Sequence, residues 1–327
     1  MIEVVSLPPL ATVQDLGRDG YWGQGLGRAG AMDPVSHQLA NLLLGNDADA
    51  ATLEIPMTPG QLRFAFRTPF ALAGAACGAM LDNRPLPRIF AGLAEAGQTL
   101  TLGTMQVGAR IYLALPGGID VPVVLGSRST QLREGFGGAN GRVLKPGDML
   151  QVTSNEMPAL PPNGLSLDCP AFRLAEGVID VRALPAAEYG EFTPAAQSAF
   201  WSDNYQITPQ SNRQGFRLEG TTLERTCSNE LRSHGIVPGI VQVPSGGQPI
   251  IQLADSATMG GYPKIATVIE ADLWRLGQAR PGDILRFTQT DAHGAAQAEQ
   301  ALAASLAAVA QQLAEVAAQH LAWGQQR

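Results

Sequence analysis

Residues Ser233 to Asp272 read SHGIVPGIVQVPSGGQPIIQLADSATMGGYPKIATVIEAD, and the fold can be read outward from them. Two β-branched runs, Ile240-Val241-Gln242-Val243 and Ile250-Ile251-Gln252-Leu253, alternate with the turn clusters Pro-Ser-Gly-Gly and Met-Gly-Gly-Tyr-Pro. Short runs of this kind, bounded by Gly and Pro, predict strands joined by tight turns. Polar side chains fall where the strands end: Gln242, Asp255, Ser256, Thr258, Tyr262 and Lys264. A rigid β scaffold fixes such positions while its loops stay open to solvent, which makes them candidates for chemistry. Ordinary hairpin turns use the same residue types.

The rest of the chain repeats this style. Residues 1–155 read as short strands with one helix, which starts at Asp33-Pro34, an N-cap side chain followed by proline at the first helical position. Val35, Leu39, Leu42 and Leu43 form its apolar stripe, and Gly45-Asn46 ends it. Residues 156–170 carry four prolines and little periodicity, the mark of a linker. Residues 171–290 return to strands. Lys145-Pro146-Gly147-Asp148-Met149-Leu150 is echoed by Arg280-Pro281-Gly282-Asp283-Ile284-Leu285, and Gly117-Gly118 by Gly260-Gly261. Such echoes suit two similar β units in tandem. Residues 291–327 differ in kind: Leu302, Leu306, Val309, Leu313, Val316 and His320 follow four- and three-residue steps, predicting a C-terminal helix with a narrow apolar seam.

Composition excludes several classes. A net charge of −7 and a pI near 5.1 argue against nucleic acid, which needs a basic face. With 45% apolar and only 16% charged residues, the chain buries enough surface to fold. Cys77, Cys169 and Cys227 lack C-x-x-C spacing, so neither a disulfide framework nor a zinc ribbon is expected. His37, His234, His293 and His320 have no metal-ligand spacing, and no metal ligands are assigned. The opening MIEVVSLPPL has no secretory pattern, and no apolar run approaches the roughly 18 residues of a membrane span. A soluble, cytoplasmic protein is expected.

Several motifs can be weighed directly. Gly25-Leu26-Gly27-Arg28-Ala29-Gly30 is a G-x-G-x-x-G, but DLGRDGYWGQ before it cannot form the buried strand a dinucleotide site requires. The glycine block from Gly17 to Gly30, with Asp15 and Arg18 beside it, suits either an anion-binding loop or a cover over a barrel end. There is no P-loop, no G-x-S-x-G elbow and no Ser-x-x-Lys. Ser211-Asn212-Arg213-Gln214-Gly215-Phe216-Arg217 offers two guanidiniums, suited to gripping a carboxylate or phosphoryl group or to surface ion pairing.

Taken together, these phrases resemble one family. Thr12-Val13-Gln14-Asp15-Leu16-Gly17-Arg18-Asp19-Gly20-Tyr21, Leu39 to Asn46, Gly117-Gly118-Ile119-Asp120, Leu125 to Thr130, Ser211-Asn212-Arg213, Ser233-His234-Gly235 and Gly260-Gly261-Tyr262-Pro263 are similar to the allophanate hydrolase subunit 2-like, or biotin-dependent carboxyltransferase, family. The resemblance covers residues 1 to about 290. It is strongest to the branch serving ATP-dependent 5-oxoprolinase complexes, through Phe200-Trp201, Glu230-Leu231, Gln248-Pro249-Ile250 and a tail ending Leu321-Ala322-Trp323.

The resemblance implies a mainly β protein of two tandem cyclophilin-like β-barrel units with few helices. It implies a polypeptide that works with a B subunit (allophanate hydrolase subunit 1-like) and a separate A subunit. Together these open the 5-oxoproline lactam to L-glutamate with hydrolysis of ATP, carried with Mg2+ as co-substrate. Under that reading Asp255 acts as base or magnesium ligand, and Arg213 and Lys264 hold phosphate or the substrate carboxylate, with Ser211 beside them. Tyr262 and Gln242 orient the lactam, while Asp15, Arg18 and Arg128 line a pocket of the other unit. Two alternatives come from other branches: a carboxyltransferase using a separate biotin carrier, and a non-catalytic regulator antagonising a histidine-kinase inhibitor. Covalent biotin is not expected on this chain, because a carrier lysine follows methionine, whereas Lys145 follows leucine and Lys264 follows proline.

Overall fold

The computed structural model describes residues 1–57, 59–154, 156–227 and 231–324, the last six as backbone only. Glu230 and the side chains of His320, Leu321, Ala322 and Trp323 therefore lie outside the described residues. By its internal contacts the chain divides into two compact units. One comprises residues 1–17, 33–174 and 303–327, the other residues 18–32 and 175–302.

In the first unit the strands are β1 (Ile2–Ser6), β2 (Thr12–Gln14), β3 (Thr52–Pro56), β4 (Gly60–Phe64), β5 (Thr68–Ala76) and β6 (Met80–Leu81). They continue with β7 (Arg84–Pro85), β8 (Phe90–Ala94), β9 (Thr99–Leu102), β10 (Val107–Ala114), β11 (Met149–Leu150) and β12 (Leu165–Ser166), and α1 spans Pro34–Leu44. Among the described residues they form two six-stranded sheets, ordered β11-β1-β4-β9-β6-β7 and β12-β8-β5-β10-β3-β2. One core joins them, with Ile2, Val4, Leu62 and Phe64 from the first sheet and Leu53, Phe70, Leu72 and Leu113 from the second.

The two sheets read differently in sequence for a physical reason. In β4 burial alternates, since one face meets water, and on that face Arg63 donates to Glu3 across the register at 2.7 Å. β5 is buried at nearly every position because α1 packs on its outer face. The segment 156–170, expected as a linker, supplies β12, paired to β8 through Leu165 and Ala91. Its four prolines, Pro158, Pro161, Pro162 and Pro170, all fall outside this two-residue edge strand and so cost the ladder no hydrogen bond.

Asp33 caps α1 as the sequence suggests: its carboxylate accepts from the Ser36 amide at 2.9 Å and from the Ser36 hydroxyl. Asp33→Ala is expected to lower stability by about 1 kcal/mol, read as a shifted urea midpoint of the first unit. An unchanged midpoint would show that the cap contributes nothing.

The second unit contains β13 (Val178–Pro185), α2 (Pro194–Ser202), β14 (Tyr205–Ile207), β15 (Gly215–Glu219), β16 (His234–Gly235) and β17 (Ile240–Gln242). It goes on with β18 (Ile250–Gln252), β19 (Met259–Gly260), β20 (Lys264–Val268), α3 (Glu270–Gly277) and β21 (Ile284–Gln289). Here the barrel closes hydrogen bond by hydrogen bond, in the order β13-β20-β17-β18-β15-β14-β21, with β13 and β21 parallel. Val181, Phe216, Val241, Ile251, Ala266 and Phe287 fill it, and Phe200 of α2 stacks on Phe287 at 4.4 Å. Met32 joins the same core, which is why the glycine block belongs with the second unit although it precedes α1 in the chain.

The sequence echo has a structural counterpart. The amides of Lys145 and Arg280 each donate to an aspartate three residues on, Asp148 and Asp283, both at 2.8 Å. Gly147 and Gly282 between them sit at φ +89° and +96°, where a side chain would be strained. Each turn feeds a strand, β11 or β21.

Asp272 on α3 is buried and accepts from the Arg182 amide and guanidinium at 2.8–2.9 Å. Burial alone would raise its pKa, but the Arg182 side chain, the Arg182 amide and the charges of Arg182 and Arg275 outweigh it and hold the carboxyl below its ordinary value. A depressed carboxylate contributes stability that is present above the unfolded pKa of about 3.9 and is lost as pH falls through the lower folded value. Asp272→Asn is therefore expected to flatten the acid limb of the stability-pH curve of the second unit. A parallel, merely displaced curve would rule this out.

α4 runs from Ala292 to Gly324. Ala298 packs with Ile269 and Ala271 in the second unit, whereas Val309 and Leu313, counted with the first, are buried there. By length and composition alone Ala292–Ala318 would pass for a membrane span, which the expectation from apolar runs did not foresee. Alanine supplies the apolarity, while Gln297, Glu299, Gln311, Gln312 and Glu315 interrupt it.

Candidate functional site

Gln242, Tyr262 and Lys264 of the opening stretch collect on the outer wall of the second unit's barrel. In β17 and β18 the central residues Val241 and Ile251 enter the core, so Gln242 and Gln252 point the other way by the two-residue period of a strand. Lys264, the first residue of β20, pairs with Gln242 across a bulge. The two-stranded ribbon β16–β19 lies over this wall. Its Gly260 approaches so closely that a Cβ there would come within 2.7 Å of the Gln242 amide nitrogen.

Lys264 is the centre of the cluster. Its Nζ lies 3.1 and 3.0 Å from the two carboxylate oxygens of Glu188, and it is hydrogen-bonded to Nε2 of His234. The Lys264 amide also donates to Glu188, at 3.1 Å. His234 Nδ1 is 2.9 Å from the Arg232 carbonyl, an acceptor only, so the ring proton resides on Nδ1 and Nε2 accepts from the ammonium. The three protons of the ammonium are matched by the two Glu188 oxygens and His234 Nε2 around it. Gln252 Nε2 donates to Gln242 Oε1 at 2.9 Å, and Gln242 Nε2 donates to the Tyr262 carbonyl at 3.3 Å. The Tyr262 side chain is itself exposed. The cluster thus offers a fixed cation, a neutral imidazole and a fixed amide beside an open aromatic ring. That set suits binding and polarising an anionic or amide group.

Arg213 and Asp255 form a second feature of the same unit. Nε and Nη2 of Arg213 reach the two oxygens of Asp255, each at 2.9 Å, and Nη2 also donates to the Gly30 carbonyl at 2.7 Å. Both side chains are buried. This fork-on-carboxylate pairing fixes the loop after β18 to the loop before β15, and Asp255 faces Arg213 with both oxygens. Ser211 is half-buried; its hydroxyl accepts from the Arg217 amide at 3.0 Å.

The remaining candidates divide between the units. Asp15, in the first, is buried and accepts from the hydroxyls of Ser127 and Ser129, the amide of Arg128, and the amide of Gly17 at 2.8 Å. Three of these donors meet Oδ1 and one meets Oδ2, so Asp15 pins the loop around Ser127. Arg128 bonds the Val121 carbonyl and lies 3.8 Å from Asp120. Arg18 belongs to the second unit and is wholly buried, its amide donating to the Arg28 carbonyl at 2.9 Å. Arg18 and Arg128 are therefore not members of one unit's pocket.

Sequence reasoning missed Glu188 and gave His234 no role, having set it aside as a metal ligand. No motif marks Glu188; His234 stands in Ser233-His234-Gly235, a signal that was there to use. It also missed a buried polar layer in the first unit, where the Tyr112 hydroxyl donates to Glu54 at 2.7 Å and accepts from the Asp33 amide at 2.8 Å. Nearby, His37 bonds Thr52 at 2.8 Å, and burial pushes its pKa down to about 4, so it stays neutral. Among the described residues no group of three or more His, Cys, Asp or Glu could hold a metal ion.

A double-unit β protein with this cluster defines a class: the chain belongs to the carboxyltransferase domain family, subdomains A and B, with the match spanning residues 24–289. More particularly, it is 45% identical over 302 residues to the C subunit of the Escherichia coli 5-oxoprolinase, covering 92% of this chain and 94% of that one. It is 38% identical to the C subunit of the Haemophilus influenzae 5-oxoprolinase, covering 88% and 90%. Among solved structures it superposes on the K. lactis urea amidolyase with a TM-score of 0.87 and 29% identity over 94% of this chain. It spans only 20% of that much longer chain.

Proposed function

We propose that this chain works as the C subunit of a cytoplasmic, ATP-dependent 5-oxoprolinase complex, opening the lactam of 5-oxoproline to L-glutamate together with B and A subunits. The observation that carries this is the end-to-end correspondence with a 5-oxoprolinase C subunit at 45% identity. The Lys264 cluster supports it chemically. A five-membered lactam resists hydrolysis, and MgATP as co-substrate supplies the phosphoryl group that makes its amide carbon electrophilic. The residues of this chain then have electrostatic and positioning roles. Lys264 sets its positive charge near the developing negative charge, Glu188 and His234 hold it in place, and Gln242 and Gln252 present a fixed amide to the substrate. Arg213 and Asp255 act on the site by fixing its loops. Mg2+ enters with the nucleotide phosphates rather than in a cage of protein ligands.

The test is ADP release by the chain purified with its B and A partners, with and without 5-oxoproline. Release that depends on 5-oxoproline, with matching glutamate, supports the reading; release indifferent to it defeats the reading. A second reading is favoured by the superposition on urea amidolyase: carboxyl transfer with a separate biotin carrier. Activity abolished by avidin would support that one instead.

A further inference from the structure

A cleft of about 230 Å³ opens in the first unit between β5, β10 and the loop before β8. Leu72, Ala75, Leu86 and Ile111 make its walls apolar, and Arg88, Gln106 and Cys77 are the polar side chains that line it. Arg88 is half-buried. Its Nη1 donates to the Gly74 carbonyl at 3.0 Å and its Nη2 to the Phe172 carbonyl at 3.4 Å. Both acceptors are neutral, so neither cancels the charge. Among the described residues no carboxylate lies within ion-pair distance of this guanidinium. Burial lowers its pKa, partly offset from farther away by Cys169, Asp33 and Asp168.

A guanidinium offers five donors in a planar fork, and here two bonds leave the others for a planar acceptor. A half-buried cation without a contacting anion is costly, and an incoming carboxylate relieves that cost. The backbone makes the wall rigid: β10 slips in register past β5 between Val107 and Ile111, opposite Gly74. Gly74 sits at φ +117°, and a Cβ there would come within 2.3 Å of the Arg110 carbonyl oxygen. A cleft below the roughly 300–1,000 Å³ of drug-sized sites takes a compact molecule, and one cation selects a single negative charge.

We propose that this cleft is a binding site for a small monocarboxylate, its carboxylate on the Arg88 fork and a compact, largely apolar body against Leu72 and Ile111, with any amide edge toward Gln106. The proposal does not rest on the oxoprolinase reading. 5-Oxoproline is one member of the ligand class, and simple cycloalkane carboxylates are others. The full chain is titrated calorimetrically with 5-oxoproline, cyclopentanecarboxylate and, as a neutral control, cyclopentanecarboxamide.

At least one acid is expected to bind with a stoichiometry of one and the carboxamide not to bind. Affinity is expected to fall by about tenfold or more in Arg88→Met and in Ala76→Phe, which fills the cleft without changing charge. The bound acid is also expected to slow alkylation of Cys77, followed on its own peptide by mass spectrometry. Thermal unfolding checks that each variant folds, and Ala76→Phe carries the test if Arg88→Met does not. Binding of neither acid, equal affinity in a folded Arg88→Met, or equal binding of the carboxamide overturns the site.

Discussion

Lys264→Met is expected to lower 5-oxoproline-dependent ADP release by the assembled complex by about 100- to 1,000-fold. The reason is geometric. Lys264 is one of two lysines in the chain, and its ammonium is held by Glu188 and His234 rather than left to sweep through solvent. A cation fixed in advance at the place where charge develops needs no reorganisation during the reaction, which is where most electrostatic catalysis comes from. Methionine keeps most of the apolar stem and removes the charged, hydrogen-bonding head. The loss should fall on kcat more than on KM, since the interaction strengthens as the lactam oxygen takes on negative charge. Turnover within about threefold of wild type would remove Lys264 from the reaction and, with it, the role given to this wall of the barrel. A rise in KM alone would make Lys264 a binding group for the substrate carboxylate.

What the sequence made legible, and what it did not, follows from the range of each interaction. The strands around Val241 and Ile251, the capped start of α1 and the paired Pro-Gly-Asp turns are local, so residue order carries them. The Lys264 cluster is legible only by half. Gln242 and Lys264 lie in one stretch, but Glu188 arrives from the chain just after the neighbouring strand β13, 76 residues earlier. No local pattern reports a contact that exists only once β20 has paired with β13 and brought the chain after β13 alongside. The same holds for Asp15, which looked like a ligand-facing acid beside glycines. Its four donors include Ser127 and Ser129, more than 100 residues away in sequence. The glycine block 18–32 was read with its neighbours in the chain, whereas Met32 belongs to the core of the other unit. Glycine-rich composition says that a backbone can approach something closely, not what it approaches.

Asp255→Ala is expected to be the most destabilising of the single substitutions considered, by about 3–5 kcal/mol, because it leaves the buried Arg213 guanidinium without the carboxylate that balances its charge. Three of the four tryptophans, Trp22, Trp201 and Trp274, lie in the second unit, so tryptophan fluorescence reports chiefly on the relevant unfolding. The double variant Arg213→Met with Asp255→Leu removes both charges and should recover most of the lost stability, since a buried ion pair contributes little over well-packed apolar replacements. That recovery makes the pair a clean instrument for function. If Asp255 acts only by fixing the two loops, the stable double variant regains a large share of ADP release along with its fold. If Asp255 takes a proton or holds magnesium in the reaction, stability returns and turnover does not. The geometry favours the first outcome, since both oxygens of Asp255 already face Arg213. A double variant as unstable as Asp255→Ala would instead show that the pair is held by more than its mutual charge, and the loops it joins would have to be probed residue by residue.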